Sequence, residues 1–180
     1  MKTFVVTEGE VDAAILEGIL GAVLGPEALK VVSAGSRSRA VSLARSYLAV
    51  RESPVALVLD ADMTDEARIR EEELNLTELL AFAGARERFG VFLAVPTMEI
   101  VFFPTQEASE EVLGKSLSEN EWEAAQYRPK DVLWKLLGGK QGSLPAITEL
   151  LKGRSAHVLA EGPLMKRLAG FISQHASAQV

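Results

Sequence analysis

Two apolar runs in this chain end in carboxylates: Val5-Val6-Thr7 leads into Glu8-Gly9, and Val55–Leu59 leads into Asp60-Ala61-Asp62. A carboxylate beside strands this apolar is costly unless something pairs with it. The chain has no cysteine and only two histidines, His157 and His175, which stand alone. The available ligands are therefore oxygens, and converging oxygen ligands suit Mg²⁺ or Mn²⁺. An ion so held polarises a phosphoryl oxygen and steadies a leaving oxygen, so the chemistry indicated is phosphoryl transfer. Asp60 and Asp62 are two residues apart and face the same way on an extended chain. Glu8 shares the metal or serves as general acid or base. The competing assignment for each is helix capping: Asp62 or Asp65 ahead of a helix starting near 65, and Glu8 or Glu10 ahead of one starting near 11.

The surrounding sequence must supply the elements that bring these groups together. Residues 3–7 read as a buried strand. A helix over 11–24 follows, with Val11, Ile15, Ile19 and Val23 at four-residue spacing. Leu29–Ser33 is a second strand, leaving through Ala34-Gly35, and residues 37–51 are a helix. Val55–Leu59 is apolar throughout, as in a sheet covered on both faces. A helix over 65–88 and a strand at Val91–Val95 complete the run. This alternation predicts a parallel α/β sheet, whose site lies outside the carboxyl ends of the strands. Glu8, Gly35, Asp60 with Asp62, and the segment from Pro96 to Glu99 all fall there. Gly35, Ser36 and Arg37 open a helix, a position that binds an anion through backbone N–H groups; an N-cap with surface arginines is the alternative. Beyond Pro104 the pattern is helical, near 107–114, 119–126, 130–137, 144–152 and 161–175, with one short strand expected at Ile100–Phe103.

The formal net charge is −6, which argues against a general nucleic-acid coat protein. It is unevenly spread: residues 107–123 carry six acids and only Lys115, whereas 128–167 carries eight bases (Arg128, Lys130, Lys135, Lys140, Lys152, Arg154, Lys166, Arg167) against three acids. Clustered on one face, those bases would hold a phosphate backbone; distributed, they are solvated helix faces. Trp122 and Trp134 read as anchors for the helical part, or as platforms for a base. Leu137-Gly138-Gly139-Lys140-Gln141-Gly142-Ser143 lacks phosphate-loop spacing and follows a helical pattern, so it reads as an interhelical turn with Lys140 exposed. The N-terminus lacks the apolar stretch of a signal peptide and no run reaches membrane-spanning length, so the expectation is a cytoplasmic protein with no membrane partner.

Three segments resemble one family. Val5-Val6-Thr7-Glu8-Gly9-Glu10-Val11-Asp12 looks like the first motif of the TOPRIM domain, a strand ending in Glu-Gly with an Asp shortly after. Leu57-Val58-Leu59-Asp60-Ala61-Asp62 looks like its Asp-x-Asp motif, and Val31–Ser36 resembles the intervening strand with its glycine turn. The resemblance covers about residues 3–100. It implies a Rossmann-like four-stranded parallel sheet over 1–104 with a helical extension over 105–180, and Mg²⁺- or Mn²⁺-dependent phosphoryl transfer on nucleic acid. Pro96-Thr97-Met98-Glu99-Ile100 and Arg128-Pro129-Lys130 resemble elements of OLD-like and stand-alone TOPRIM nucleases. On that likeness Glu8, Asp60 and Asp62 hold the metal, Glu99 helps hold a second, and Lys130 is catalytic with Glu8, stabilising charge on the phosphate. The residue-level alternatives are a rim position for Glu99 and a helix surface for Lys130. No topoisomerase tyrosine context, primase zinc segment or ATPase module is present, so a nuclease here acts alone or beside a separate ATPase. The alternative is a non-catalytic subunit of this fold that docks on an ATPase or a nucleic-acid complex, with the acidic 107–123 stretch in the docking surface.

Overall fold

In the computed structural model, which describes residues 2–139 and 141–177, the first four apolar runs form one parallel sheet. The strands are β1 (Thr3–Thr7), β2 (Leu29–Ser33), β3 (Val55–Asp60) and β4 (Phe89–Ala94), in the order β2-β1-β3-β4. β1 and β3 are the inner strands, and burial of nearly every residue in them explains why they read as continuous apolar runs. The register sets Val6 against Leu57 and Asp60 against Ala94.

Side chains alternate strictly between two cores, as the two-residue period of a strand requires. One face carries Phe4, Val6, Leu57 and Leu59, covered by Ala40, Ala44 and Leu48 of α2 (Arg37–Val50) and by Leu76 and Leu80 of α3 (Glu66–Ala81). The other face carries Val5, Ala56, Val58 and Phe92 beneath Ile15, Leu16, Ile19 and Leu20 of α1 (Glu10–Leu24). That second core continues without a break into the helical part. The remaining helices are α4 (Gln106–Leu113), α5 (Glu119–Tyr127), α6 (Pro129–Leu136), α7 (Leu144–Leu150), α8 (Ser155–Ala160) and α9 (Pro163–Ser177). Leu133 and Trp134 of α6, Ile147 of α7, Leu159 of α8 and Leu168 of α9 lie in this core. The sheet residues on this face thus share one core with the C-terminal helices.

Three expectations change. Ile100–Phe103 is not a strand: Met98–Phe102 forms a 3₁₀ turn. Pro96 has no N–H to extend β4, and the Met98 N–H is taken by the Asp60 carboxylate instead of a neighbouring strand. The helix expected over 65–88 stops at Ala81 and resumes only as a short 3₁₀ turn at Arg86–Arg88, beyond Gly84. The helix expected over 161–175 begins at Pro163, and a separate α8 precedes it, because Gly162-Pro163 breaks one helix and opens the next. Among the described residues, no helix is long and apolar enough to cross a membrane.

The connections decide where a site can form. From β1 the chain crosses through α1 to β2 on one side; from β2 it crosses through α2 to β3 on the other side of β1. The strand order therefore reverses between β1 and β3, and a crevice opens outside their carboxyl ends. Glu8 follows β1 and Asp60 ends β3.

Candidate carboxylate cleft

Glu8, Asp12, Asp60, Glu99 and Lys130 line one cleft of about 640 Å³, together with Ser33, Gly35, Ser36, Trp134, Gln141 and Gly142. Most of the carboxylates are oriented by a donor. Gly9 caps α1, and its N–H donates to Asp12 Oδ2 at 3.2 Å. The Met98 N–H donates to Asp60 Oδ1 at 2.7 Å. Glu99 is only 3% exposed, and Trp134 Nε1 donates to its Oε1 at 3.4 Å. One oxygen of Asp12 and one of Asp60 are thus pinned and the other is left for the cleft, as outer hydrogen bonds orient ligands elsewhere. Glu8 Oε1 is buried and accepts no hydrogen bond.

The other expected site residues fall differently. Asp62 leaves the extended path: its φ is +54°, its N–H donates to Pro96 O at 2.9 Å, and its side chain is exposed beyond the residues that line the cleft. Its carboxylate nevertheless raises both Glu8 and Asp60, so it stands near these acids without lining the cleft. Gly35 and Ser36 do line the cleft, with Gly35 at φ +85°. Ser36 is the N-cap of α2, its Oγ accepting from the Arg39 N–H. The Arg37 guanidinium is committed inside the protein. Nη1 donates to Asp60 O at 2.7 Å and lies 3.6 Å from Glu8 Oε1, while Nη2 donates to Glu72 Oε1 at 2.7 Å. Arg37 therefore braces β1, β3 and α3 beneath the carboxylates; the anion-binding expectation rests on Gly35 and Ser36. Removing it, as in Arg37→Ala, is expected to cost about 1.5–3 kcal/mol in urea unfolding, with Arg37→Lys recovering only part because the fork is lost.

Of the acids expected as caps, Asp65 caps α3, accepting from the Arg68 N–H at 2.9 Å, whereas the cap of α1 is Gly9 and neither Glu8 nor Glu10. Lys152, Lys166 and Arg167 each pair with a glutamate, at Glu149, Glu161 and Glu73, whereas Lys130 faces the cleft. Lys140 lies outside the described residues. Asp12 stands in the Glu-Gly motif yet carries no role in the sequence reading; the signal for it was its place in the first turn after a glycine cap, where an acid is already favoured.

Crowding raises these acids. Burial, then Asp12, Glu99 and Asp62, push Asp60 up to about 7 against the pull of the Met98 N–H. Burial, with Glu99 and Glu8 added, pushes Asp12 up to about 6, opposed by the Gly9 N–H and by Lys130. Glu8 is raised by burial and by Asp62, with Arg37 pulling it down. A carboxyl whose native pKa is raised binds more protons folded than unfolded, so stability falls as pH rises between the two values. Metal-free protein is therefore expected to lose stability as pH rises from about 4 to about 7, and added Mg²⁺ should flatten that loss. Thermal melts across this range, with and without the ion, read both effects.

The donor set fits a hard cation. All ligands on offer are oxygens; Glu8 Oε1 is buried with no hydrogen bond, and Glu8 and Asp60 come from adjacent strand ends. Among the described residues no three acids or histidines are grouped closely enough to hold one ion together. Mg²⁺ does not require that, being bound through one or two carboxylates with several waters kept.

No family model and no curated protein matches the chain. Among solved structures, the C-terminal region of the Xanthomonas campestris pv. campestris OLD protein superposes with a TM-score of 0.59 at 14% identity, over 98% of this chain and 96% of that one. The fold is that of an OLD protein's C-terminal region. The corresponding region of the Burkholderia pseudomallei OLD protein is also similar, with a TM-score of 0.46 at 16% identity over 96% of this chain and 97% of that one. At such identities the OLD likeness is one of architecture, and it spans the helical part as well as the sheet. The four-stranded parallel sheet expected of the sequence is thus the sheet of an OLD-type fold.

Proposed function

We propose that this chain is a TOPRIM-type nuclease that hydrolyses phosphodiester bonds in nucleic acid with Mg²⁺ or Mn²⁺. The observation that carries this reading is the meeting of Glu8 and Asp60 at the switch point of the sheet, with Asp12, Glu99 and Lys130 lining the same cleft. Glu8 and Asp60 would hold the ion, Asp62 would lend charge from outside the cleft, and Glu99 would serve a second ion. A bound divalent ion supplies charge neutralisation at the phosphoryl oxygens. Asp12, raised to about 6, accepts the proton of the attacking water through its free Oδ1, since a base poised near neutrality does this best. Lys130 donates from Nζ to a non-bridging oxygen as charge builds there, and Gly35 with Ser36 offers polar contacts to an adjoining phosphate. The direct test is cleavage of DNA and RNA with each ion by wild type, Glu8→Gln and Asp60→Asn. Loss in both variants supports the mechanism; equal activity in all three removes it.

A second reading, a non-catalytic subunit docking on a separate ATPase, draws on apolar side chains that α3 and its end leave in solvent, Leu74 at 64% and Phe82 at 85% exposure. Calorimetry separates the two, because this reading expects no Mg²⁺ or Mn²⁺ binding at millimolar concentration.

A further inference from the structure

The glycine-rich stretch set aside as an interhelical turn lies on the cleft. It is fixed at both ends. Gly138 and Gly139, at φ +77° and +78°, close α6: the Gly138 N–H donates to Lys135 O at 3.1 Å and the Gly139 N–H to Trp134 O at 2.8 Å. That is a left-handed cap, which an L side chain would strain. At the other end Ser143 caps α7, its Oγ accepting from the Ala146 N–H at 3.3 Å. Trp134, one turn before the first cap, is buried against Glu99. The loop is thus tied to the floor of the site.

Between those caps, Gln141 and Gly142 line the carboxylate cleft. Gly142 has φ +71°, with nothing within 4 Å of where a Cβ would stand, so glycine is there for backbone direction and not for space. Neither residue donates a hydrogen bond to any acceptor among the described residues, through backbone or side chain. Glu8, Glu10, Asp12, Asp60 and Glu99 line the same cleft. A polyanion entering the cleft therefore meets these acids, and the donors on offer to it are Lys130, the two amide hydrogens of Gln141, and the N–H groups of Gln141 and Gly142.

We infer that Gln141 and Gly142 form the phosphate-gripping part of the cleft. In it the Gln141 amide and the Gln141 and Gly142 N–H groups donate to non-bridging oxygens of a nucleic-acid strand. This rests on the nuclease reading and adds a residue to it: Gln141 binds the strand, while the carboxylates and Lys130 act at the bond that breaks. A neutral amide suits the place, since it offers donors without competing with a metal for the acids.

The test uses the full chain and a fluorescein-labelled DNA strand, single and as a duplex, with fluorescence anisotropy for binding and gel assays for cleavage. Gln141→Ala should weaken strand binding about tenfold, the scale of one hydrogen bond to a charged group, and should raise KM with kcat nearly unchanged. Gln141→Glu, nearly isosteric but anionic, should weaken it further, and Gln141→Arg should restore or tighten it. Mn²⁺ binding by calorimetry should be the same in wild type and Gln141→Ala. Gln141 is exposed and on a loop, so folding is not at issue. Wild-type binding and KM in both Gln141→Ala and Gln141→Glu, while Asp60→Asn still abolishes cleavage, overturns the loop's role and leaves the nuclease reading standing. A wild-type protein that binds Mn²⁺ yet neither binds nor cuts either nucleic-acid form overturns both.

Discussion

Asp60→Asn is expected to lower the proposed metal-dependent cleavage by roughly 10²–10³-fold or more, and at the same time to stabilise the metal-free protein above neutral pH. The two effects have one cause. Asn keeps an oxygen for the Met98 N–H that Asp60 Oδ1 accepts at 2.7 Å, so the local fold is retained. What it removes is a charge, largely buried and pressed by Asp12, Glu99 and Asp62, that holds the carboxyl near 7. At pH 8 the wild-type group is ionised in the folded state at a cost on the order of a few kcal/mol, and the variant is free of it. Near pH 4 the folded wild-type group is protonated and the two proteins should melt alike. Adding Mg²⁺ should reverse the order at pH 8, raising the melting temperature of wild type and leaving that of Asp60→Asn where it was. A variant that loses activity and also melts lower at pH 8 would mean that Asp60 is structural.

Lys130→Ala is expected to lower kcat of the proposed cleavage by roughly 10²-fold while leaving metal affinity intact or slightly improved. Lys130 is the second residue of α6, where a cation opposes the helix dipole, and it makes no ion pair among the described residues. Its position serves the cleft better than it serves the helix, so alanine should be neutral or stabilising by about 0.3 kcal/mol. Lys130 also pulls the Asp12 carboxyl down. Its removal should shift the acidic limb of the pH–rate profile upward, a signature that a merely structural lysine would not give. Lys130→Arg should recover part of kcat and return the limb toward its wild-type position.

Much of this was legible in the sequence for a plain reason. β1 and β3 are inner strands of a parallel sheet, so their burial forces continuous apolar runs, and the acids at their ends stand out by contrast. The strand-helix alternation then placed Glu8 beside Asp60 with no contact known. What failed to show was whatever depends on a single dihedral or on the packing of distant helices. Asp62 follows Asp60 by two residues, yet at φ +54° the chain leaves the extended path and Asp62 does not line the cleft, which an Asp-Ala-Asp spacing does not encode. The segment after Pro96 is apolar enough to pass for a strand; it becomes a 3₁₀ turn because β4 has ended and its N–H groups find nearer acceptors, Asp60 Oδ1 and Thr97 O. Gln141 reaches the cleft only because α6 and α7 both pack into the core over α1, 133 residues along the chain from Glu8. Trp134 was visible as an anchor, and its hydrogen bond to Glu99 was not.

The proposed chemistry requires the carboxylate cleft to hold a divalent ion. A crystal grown with Mn²⁺, with anomalous scattering recorded for manganese, tests that directly. The prediction is an anomalous peak in the cleft bonded to carboxylate oxygens of Glu8 and Asp60, absent from Asp60→Asn crystals grown in the same way. A cleft without manganese in the wild-type crystal at millimolar Mn²⁺, or a peak unchanged in Asp60→Asn, would contradict it.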